Sequence, residues 1–138
     1  MSLALVTGSN GLVGSEMATF LLEKGFDVIG IDNNERKSLF GAGGDTGLVK
    51  KKLIKKYKKY KHFNIDIVNY NHLEKIFKKF QNKISFILHA AGQPSHDWAY
   101  KNIRKDFDIN AIGTLNILEL AKKFNKNSIA STPIFATT

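Results

Sequence analysis

The chain contains no cysteine, and that absence removes disulfides, thiolate nucleophiles and thiolate metal sites together. Arginine is nearly as scarce: of 21 basic residues only Arg36 and Arg104 are arginine, and the rest are lysine. Lysine is the poorer reader of base edges, so the net charge of +9 argues less for nucleic acid than its size suggests. No apolar run is long enough to cross a bilayer, nothing resembles a secretory leader, and there is no internal repeat of solenoid period. A soluble cytoplasmic protein without membrane contact is the expectation.

The positive charge is concentrated rather than spread. Eight lysines crowd into residues 50–61, where Val49, Leu53, Tyr57 and Tyr60 recur at helical spacing. That pattern reads as an amphipathic helix with a solvated basic face, and nucleic-acid binding is the lesser reading. A length of 138 residues allows one domain with a real core.

Strands and helices alternate along the chain: strand 3–8, helix 12–24, strand 27–32, a long excursion, strand 62–67, helix 71–81, strand 84–90, helix 102–124 and strand 133–137. Such alternation predicts an α/β fold in which right-handed crossovers place helices on both faces of a parallel sheet. Val13, Met17, Phe20 and Leu21 make the apolar stripe of the first helix, and Gly25 suits its C-terminal cap. Leu73, Ile76, Phe77 and Phe80 do the same for helix 71–81, with Asn71 and Glu74 spaced as a capping pair.

The chemistry concentrates at Thr7-Gly8-Ser9-Asn10-Gly11-Leu12-Val13-Gly14, between the first strand and the first helix. Gly8 can leave the strand with positive φ, Gly11 admits close approach of a pyrophosphate, and Gly14 lets the helix pack on the sheet. The free N–H groups and positive dipole end of that helix then face the phosphates. An acid, Asp32, ends the next strand 24 residues beyond Gly8, where a Rossmann unit places the group that accepts ribose hydroxyls. A carboxylate there repels a 2′-phosphate, which favours NAD over NADP, although Arg36 nearby is the residue type NADP sites use. The excursion after Asp32 carries Phe40-Gly41-Ala42-Gly43-Gly44-Asp45-Thr46, readable either as a shaped turn near a ligand or as a flexible surface loop. Asp66 is placed either to meet an adenine amino group or to begin the next turn.

Further along, His89-Ala90-Ala91-Gly92-Gln93-Pro94-Ser95-His96-Asp97-Trp98-Ala99 and Asn110-Ala111-Ile112-Gly113-Thr114-Leu115-Asn116-Ile117-Leu118-Glu119 complete a pattern. With the glycine turn, these stretches resemble the extended short-chain dehydrogenase/reductase superfamily in its NAD-dependent nucleotide-sugar epimerase/dehydratase branch. Asp32-Asn33-Asn34, the Phe40 to Thr46 stretch and Gln93 to Trp98 are similar to the CDP-paratose (CDP-tyvelose) 2-epimerase-like subgroup. The resemblance implies a Rossmann-type doubly wound parallel sheet, truncated after the fifth strand, with residues 1–138 as a partial NAD(P)-binding domain. It implies NAD as cofactor, with Gly8, Asn10, Gly11, Leu12, Val13 and Gly14 along the pyrophosphate and Asp32, Asn33 and Asn34 at the adenosine ribose. Asp66 and Ile67 would meet the adenine edge, Ala90, Ala91, Gly92 and Gln93 the middle of the cofactor, and Asn110 would hold its helix beside it. No metal is implied.

The family's chemistry moves a hydride from a sugar carbon to NAD and returns it to the opposite face. Its base is the tyrosine of a Tyr-x-x-x-Lys helix, and a Ser or Thr after the fifth strand orients the sugar hydroxyl, a position Thr138 matches. The tyrosine, the later strands and the nucleotide-sugar domain are expected beyond residue 138, so an N-terminal fragment, inactive alone, is the reading. The implied partners are a nucleotide sugar, CDP-linked by the subgroup, and a second copy of the chain in a homo-oligomer. The alternative is a dinucleotide-binding or regulatory module that performs no turnover. Tyr57 and Lys61 fit Tyr-x-x-x-Lys literally, but within a lysine run that coincidence carries no weight. Ser95-His96-Asp97 cannot form a relay as consecutive residues.

Overall fold

The computed structural model describes residues 2–93 and 95–124. Four parallel strands, β1 (Leu3–Thr7), β2 (Asp27–Ile31), β3 (Tyr60–Phe63) and β4 (Ile84–His89), lie in the order β3-β2-β1-β4. Leu3 to Thr7 pair in register with Asp27 to Ile31 on one side and end opposite His89 on the other. The strand that begins the chain is therefore central, and the order reverses between β1 and β4, leaving a crevice at their carboxyl ends.

Alternate residues of each strand face opposite layers. Leu5, Ile29, Ile31 and Ile87 pack under α4 (Tyr70–Lys79) and α7 (Gly113–Phe124), around Leu73, Phe77, Ile117 and Leu120. Ala4, Val6, Val28 and Leu88 pack under α1 (Leu12–Glu23) and α3 (Gly47–Lys56), around Ala18, Leu21, Leu22 and Leu53. Both faces of the sheet are thus covered, which makes the doubly wound α/β arrangement. Each fully buried large side chain, such as Phe77 or Ile29, contributes about 1.5–3 kcal/mol by leaving water.

Several boundaries differ from the sequence-based expectation. The third strand runs over Tyr60–Phe63 instead of 62–67, because α3 ends at Lys56 and Tyr57 is its C-cap. Tyr60 belongs to the strand, where its ring fills the space above Gly30, and Asp66 and Ile67 lie in the loop beyond. The first helix is rotated: Ala18, Leu21 and Leu22 are its core face, while Val13 and Phe20 are 41% and 51% exposed. Phe20 instead lies beneath Lys24, whose Nζ is 5.6 Å from the ring centroid. The cap of α4 is Asn69, which accepts from His72 N at 3.1 Å, and the Asn71–Glu74 pairing is not used.

The expected helix 102–124 is interrupted. After α5 (His96–Lys101) come α6 (Ile103–Phe107), a π-turn over Asp108–Ile112, and then α7. Single π-turns are often found where a helix must present a functional group. The excursion after β2 is also ordered, as α2 (Glu35–Phe40), a short 3-10 turn (Gly41–Gly44) and α3. The expected strand 133–137 and Thr138 lie outside the described residues. Among the described residues no helix is long and apolar enough to cross a membrane.

Candidate functional site

A cleft of about 310 Å³ opens at the carboxyl ends of the strands. Its lining includes Gly8, Gly11, Leu12, Val13 and Gly14 from the turn after β1, Asp32 and Asn33 after β2, and Asp66 and Ile67 after β3. Ala90, Ala91, Gly92 and Gln93 after β4 close the other side. Thirteen of the sixteen residues proposed for cofactor contact therefore share one cavity; the other three, Asn10, Asn34 and Asn110, hydrogen-bond to residues that line it. Ile31, Glu35, Arg36, Leu39, Thr46, Ile65 and Ile109 also line it.

The three turn glycines are required for different reasons. Gly8 has φ +64, and a Cβ there would sit 2.7 Å from the Ala90 carbonyl. A Cβ on Gly14 would overlap the Gly8 carbonyl oxygen, so α1 could not approach the sheet. Gly11 has ordinary angles, φ −72 and ψ 174, and an added Cβ would meet only Gly8 O at 3.2 Å. Little inside the protein demands glycine at position 11, yet it lines the cleft at the N-terminus of α1. Space for an external group is the demand that remains. Beneath the turn, Tyr60 donates to Ser9 Oγ at 3.0 Å and fills the gap left by Gly30. Burial pushes the Tyr60 phenol up to about 12, so it stays a neutral donor.

Asp32 is pre-aimed. Its Oδ2 accepts from Asn10 N at 3.0 Å and its Oδ1 from Asn34 N at 2.7 Å. Each oxygen keeps a further lone pair for a hydroxyl donor. Asn34 adopts the left-handed conformation, φ 57, and its side chain ties down the excursion: Nδ2 donates to Asp45 Oδ1 at 2.8 Å, and Oδ1 accepts from Thr46 N and Oγ1 at 3.0 and 2.9 Å. Asp45 also pairs with Lys37 at 2.8 Å, and Lys37 with these donors holds its carboxyl far below the usual range. The glycine-containing excursion is thus a hydrogen-bonded strap, and Arg36 on it stacks over Phe40 at 5.6 Å. Asp66 lines the cleft and begins the next turn, its Oδ1 accepting from Val68 N at 3.0 Å. Asn116 of α7, 6% exposed, donates to Ile67 O at 2.9 Å and Val68 O at 3.1 Å and anchors that loop. Among the described residues one buried acceptor, Asn10 Oδ1, has no hydrogen-bond partner.

On the β4 side a directional chain of hydrogen bonds fixes the wall. Thr114 Oγ1 donates to Asn110 O at 2.6 Å, so it accepts from His89 Nε2 at 3.0 Å. The other nitrogen of a neutral imidazole is then an acceptor, and it receives the Thr7 hydroxyl proton at 2.6 Å. Thr7 Oγ1 in turn accepts from Ala91 N at 3.2 Å. Only neutral His89 satisfies every member, and burial lowers its basicity accordingly. Asn110 Oδ1, presented by the π-turn, accepts from Gln93 N at 2.9 Å, while Asn110 Nδ2 donates to Asp106. Neither the Thr7–His89–Thr114 chain nor the Tyr60–Ser9 contact was anticipated. Polar residues ending two adjacent strands, Thr7 and His89, were the available signal for the first.

The literal Tyr57–Lys61 motif lies elsewhere: Tyr57 donates to Glu23 Oε1 at 2.9 Å on the surface. Ser95 caps α5 by accepting from Trp98 N at 3.3 Å. No tyrosine is among the residues lining the cleft.

Comparison with known proteins agrees with this geometry. The model of the NAD dependent epimerase/dehydratase family matches residues 4–136. The chain is 35% identical over 136 residues to UDP-glucuronate 4-epimerase of Thermodesulfobacterium geofontis, covering 96% of this chain and 40% of that protein. It is 33% identical over 123 residues to CDP-paratose 2-epimerase of Salmonella typhi, covering 89% and 33% respectively. It superposes on Thermus thermophilus UDP-glucose 4-epimerase, solved in complex with NAD, with a TM-score of 0.68 at 27% identity, over 88% of this chain and 34% of that one. The chain spans 33–40% of the length of these two curated relatives. With its glycine turn, cleft and strand order in place across nearly all of its residues, the chain belongs to the NAD dependent epimerase/dehydratase family.

Proposed function

We propose that this chain is the NAD-binding part of a nucleotide-sugar epimerase. The observation that carries the reading is the cleft itself, where Gly11 leaves room for a group from outside and Asp32 is aimed by two backbone donors. Bound NAD would supply a reversible hydride acceptor for the sugar carbon. The chain's own residues bind and orient. Backbone N–H groups at the start of α1 hold the pyrophosphate between Gly8 and Gly14, with Leu12 and Val13 flanking it. Asp32 accepts the adenosine ribose hydroxyls and repels a 2′-phosphate, with Asn33 beside it. Asp66 and Ile67 take the adenine edge, and Ala90 to Gln93 line the middle of the cofactor. Asn10, Asn34 and Asn110 act as positioning residues, through Asp32 for the first two and through Gln93 for the third.

The substrate class is a nucleotide sugar. The Asp32–Asn34, Phe40–Thr46 and Gln93–Trp98 stretches favour a CDP-linked one, while named relatives act on UDP- as well as CDP-sugars. Proton transfer at the sugar needs a base, in this family a tyrosine, and among the described residues no tyrosine lines the cleft: Tyr60 is committed to Ser9 and Tyr57 to Glu23. The family tyrosine and the Thr138 hydroxyl would supply that part. Calorimetric titration of the protein with NAD and NADP tests the cofactor reading. NAD is expected to bind more tightly, and equal or tighter NADP binding overturns the assignment of Asp32. CDP- and UDP-sugar titrations of the NAD-loaded protein distinguish the nucleotide.

A further inference from the structure

The strap after β2 lines the cleft, the helices after β4 line a second hollow beside it, and among the described residues one polar contact joins strap and helices. Glu35, at the start of α2, lines the cleft, and its Oε1 is paired with Lys105 Nζ of α6, 70 residues away. Among the described residues this is the one hydrogen bond or ion pair recorded between residues 33–47 and helices α5 and α6. Both partners are held in place. Asn33 Oδ1 accepts from Glu35 N at 3.0 Å, and Asn33 Nδ2 donates to Glu35 Oε2 at 3.3 Å, which leaves Oε1 for the lysine. Lys105 lies over the Trp98 ring, 5.7 Å from its centroid. Lys105 also lines a second hollow, which shares Asp66 and Ile109 with the cleft, so the pair stands where the two hollows meet.

Resting on the NAD reading above, we infer that Glu35 and Lys105 form a clasp over the adenosine half of the cleft that slows cofactor release. Asn33 is then a positioning residue for the clasp, beyond its place at the ribose. A partly exposed ion pair adds little to the stability of the fold, with Glu35 and Lys105 side chains 25% and 50% accessible. On this reading, a dinucleotide leaving past Asp66 parts the strap from α6. The effect therefore falls on dissociation, the step in which most affinity differences between related complexes reside.

The test measures NAD and ADP-ribose dissociation by stopped-flow displacement from the unmodified protein, Lys105→Met, Glu35→Gln, the double variant and Lys105→Arg. Lys105→Met is expected to speed release of both ligands by roughly three- to fivefold, as fits one ion pair of this exposure. The double variant should release no faster than Lys105→Met, Lys105→Arg should stay within about twofold of the unmodified protein, and Lys105→Met should lose the sensitivity of release to salt. In the ligand-free protein, amide hydrogens of residues 34–47 should exchange faster in Lys105→Met. Unchanged release in Lys105→Met, or effects of the two single changes that multiply in the double variant, overturns the clasp. Failure of the unmodified protein to bind either ligand overturns the cofactor reading and the clasp with it, so the two failures are distinguishable.

Discussion

Replacing Thr7 by valine keeps the shape of the side chain and deletes one hydroxyl, which sits in the middle of the chain from Ala91 N to Asn110 O. Thr7 is fully buried and His89 is 1% exposed, so water cannot substitute for the lost group at the imidazole. His89 Nδ1 loses its donor and Ala91 N–H loses its acceptor. A buried polar atom left unpaired costs about 1–3 kcal/mol. The imidazole nitrogen bears that in full; Ala91, being half-buried, bears less, so a total of about 2–4 kcal/mol is expected. For a domain of this size that corresponds to a melting temperature lower by roughly 8–15 °C. Thr7→Ser retains the hydroxyl and loses one methyl group, worth about 1 kcal/mol. Calorimetric melts of the three proteins at pH 7.5 check the argument, and NAD titration should show Thr7→Val the weaker binder because Ala91 is no longer held. A Thr7→Val protein that melts within about 2 °C of the unmodified one, or a Thr7→Ser protein as damaged as Thr7→Val, would refute the directional chain.

Gly11→Val should abolish NAD binding while costing about 1 kcal/mol of stability, as a poorer N-cap residue; Gly14→Val should cost about 3 kcal/mol or more, because its Cβ overlaps the Gly8 carbonyl. Normal NAD affinity in a folded Gly11→Val protein removes the pyrophosphate from that turn. Asp32→Ala should narrow the preference for NAD over NADP in paired calorimetric titrations, and an unchanged ratio counts against a ribose role. Gly30→Ala should destabilise by about 1–3 kcal/mol in denaturant melts, since the added methyl meets Tyr60 Oη and Ser9 Oγ. Burial depresses the basicity of His89, and burial with Lys50 depresses that of His62, so both bind protons more readily unfolded. Their contribution is fully present above the unfolded value of 6.5 and is lost as pH falls from there through the lower folded values. Melting temperature should therefore decline between about pH 7 and pH 5, and a flat profile in that window excludes neutral buried histidines.

Elements governed by local spacing were legible in the sequence, and those governed by distant contacts were not. The glycine turn, β1, β2 and the apolar stripe of α4 follow from residues within a few positions of each other, and they stand where the spacing placed them. Tyr60 fits the helical stripe of Val49, Leu53 and Tyr57 on spacing alone. It stands instead in β3, its ring filling the space that Gly30 leaves on the neighbouring strand. Likewise Phe20 and Leu21 are equivalent in a hydrophobicity pattern, and Gly14 decides between them. The close approach it permits at the turn rotates α1 so that Ala18 and Leu21, not Phe20, meet the sheet.

The same distinction separates the parts of the cleft. Residues that follow a strand end line it as their position in the pattern implies, because the reversal of strand order brings those ends together whatever the side chains are. The groups that hold them are paired across 82 residues in Thr7–His89, 49 in Asn116–Ile67 and 70 in Glu35–Lys105; strand-end polarity hints at the first, and no local pattern encodes the other two. A glycine in sequence is equally mute about its cause. The structure separates the causes: Gly8 answers to a positive φ and Gly14 to the carbonyl beneath it, while Gly11 answers to neither. Under the proposed NAD reading, Gly11, at the N-terminus of α1 and in one cleft with Asp32, marks where the pyrophosphate passes.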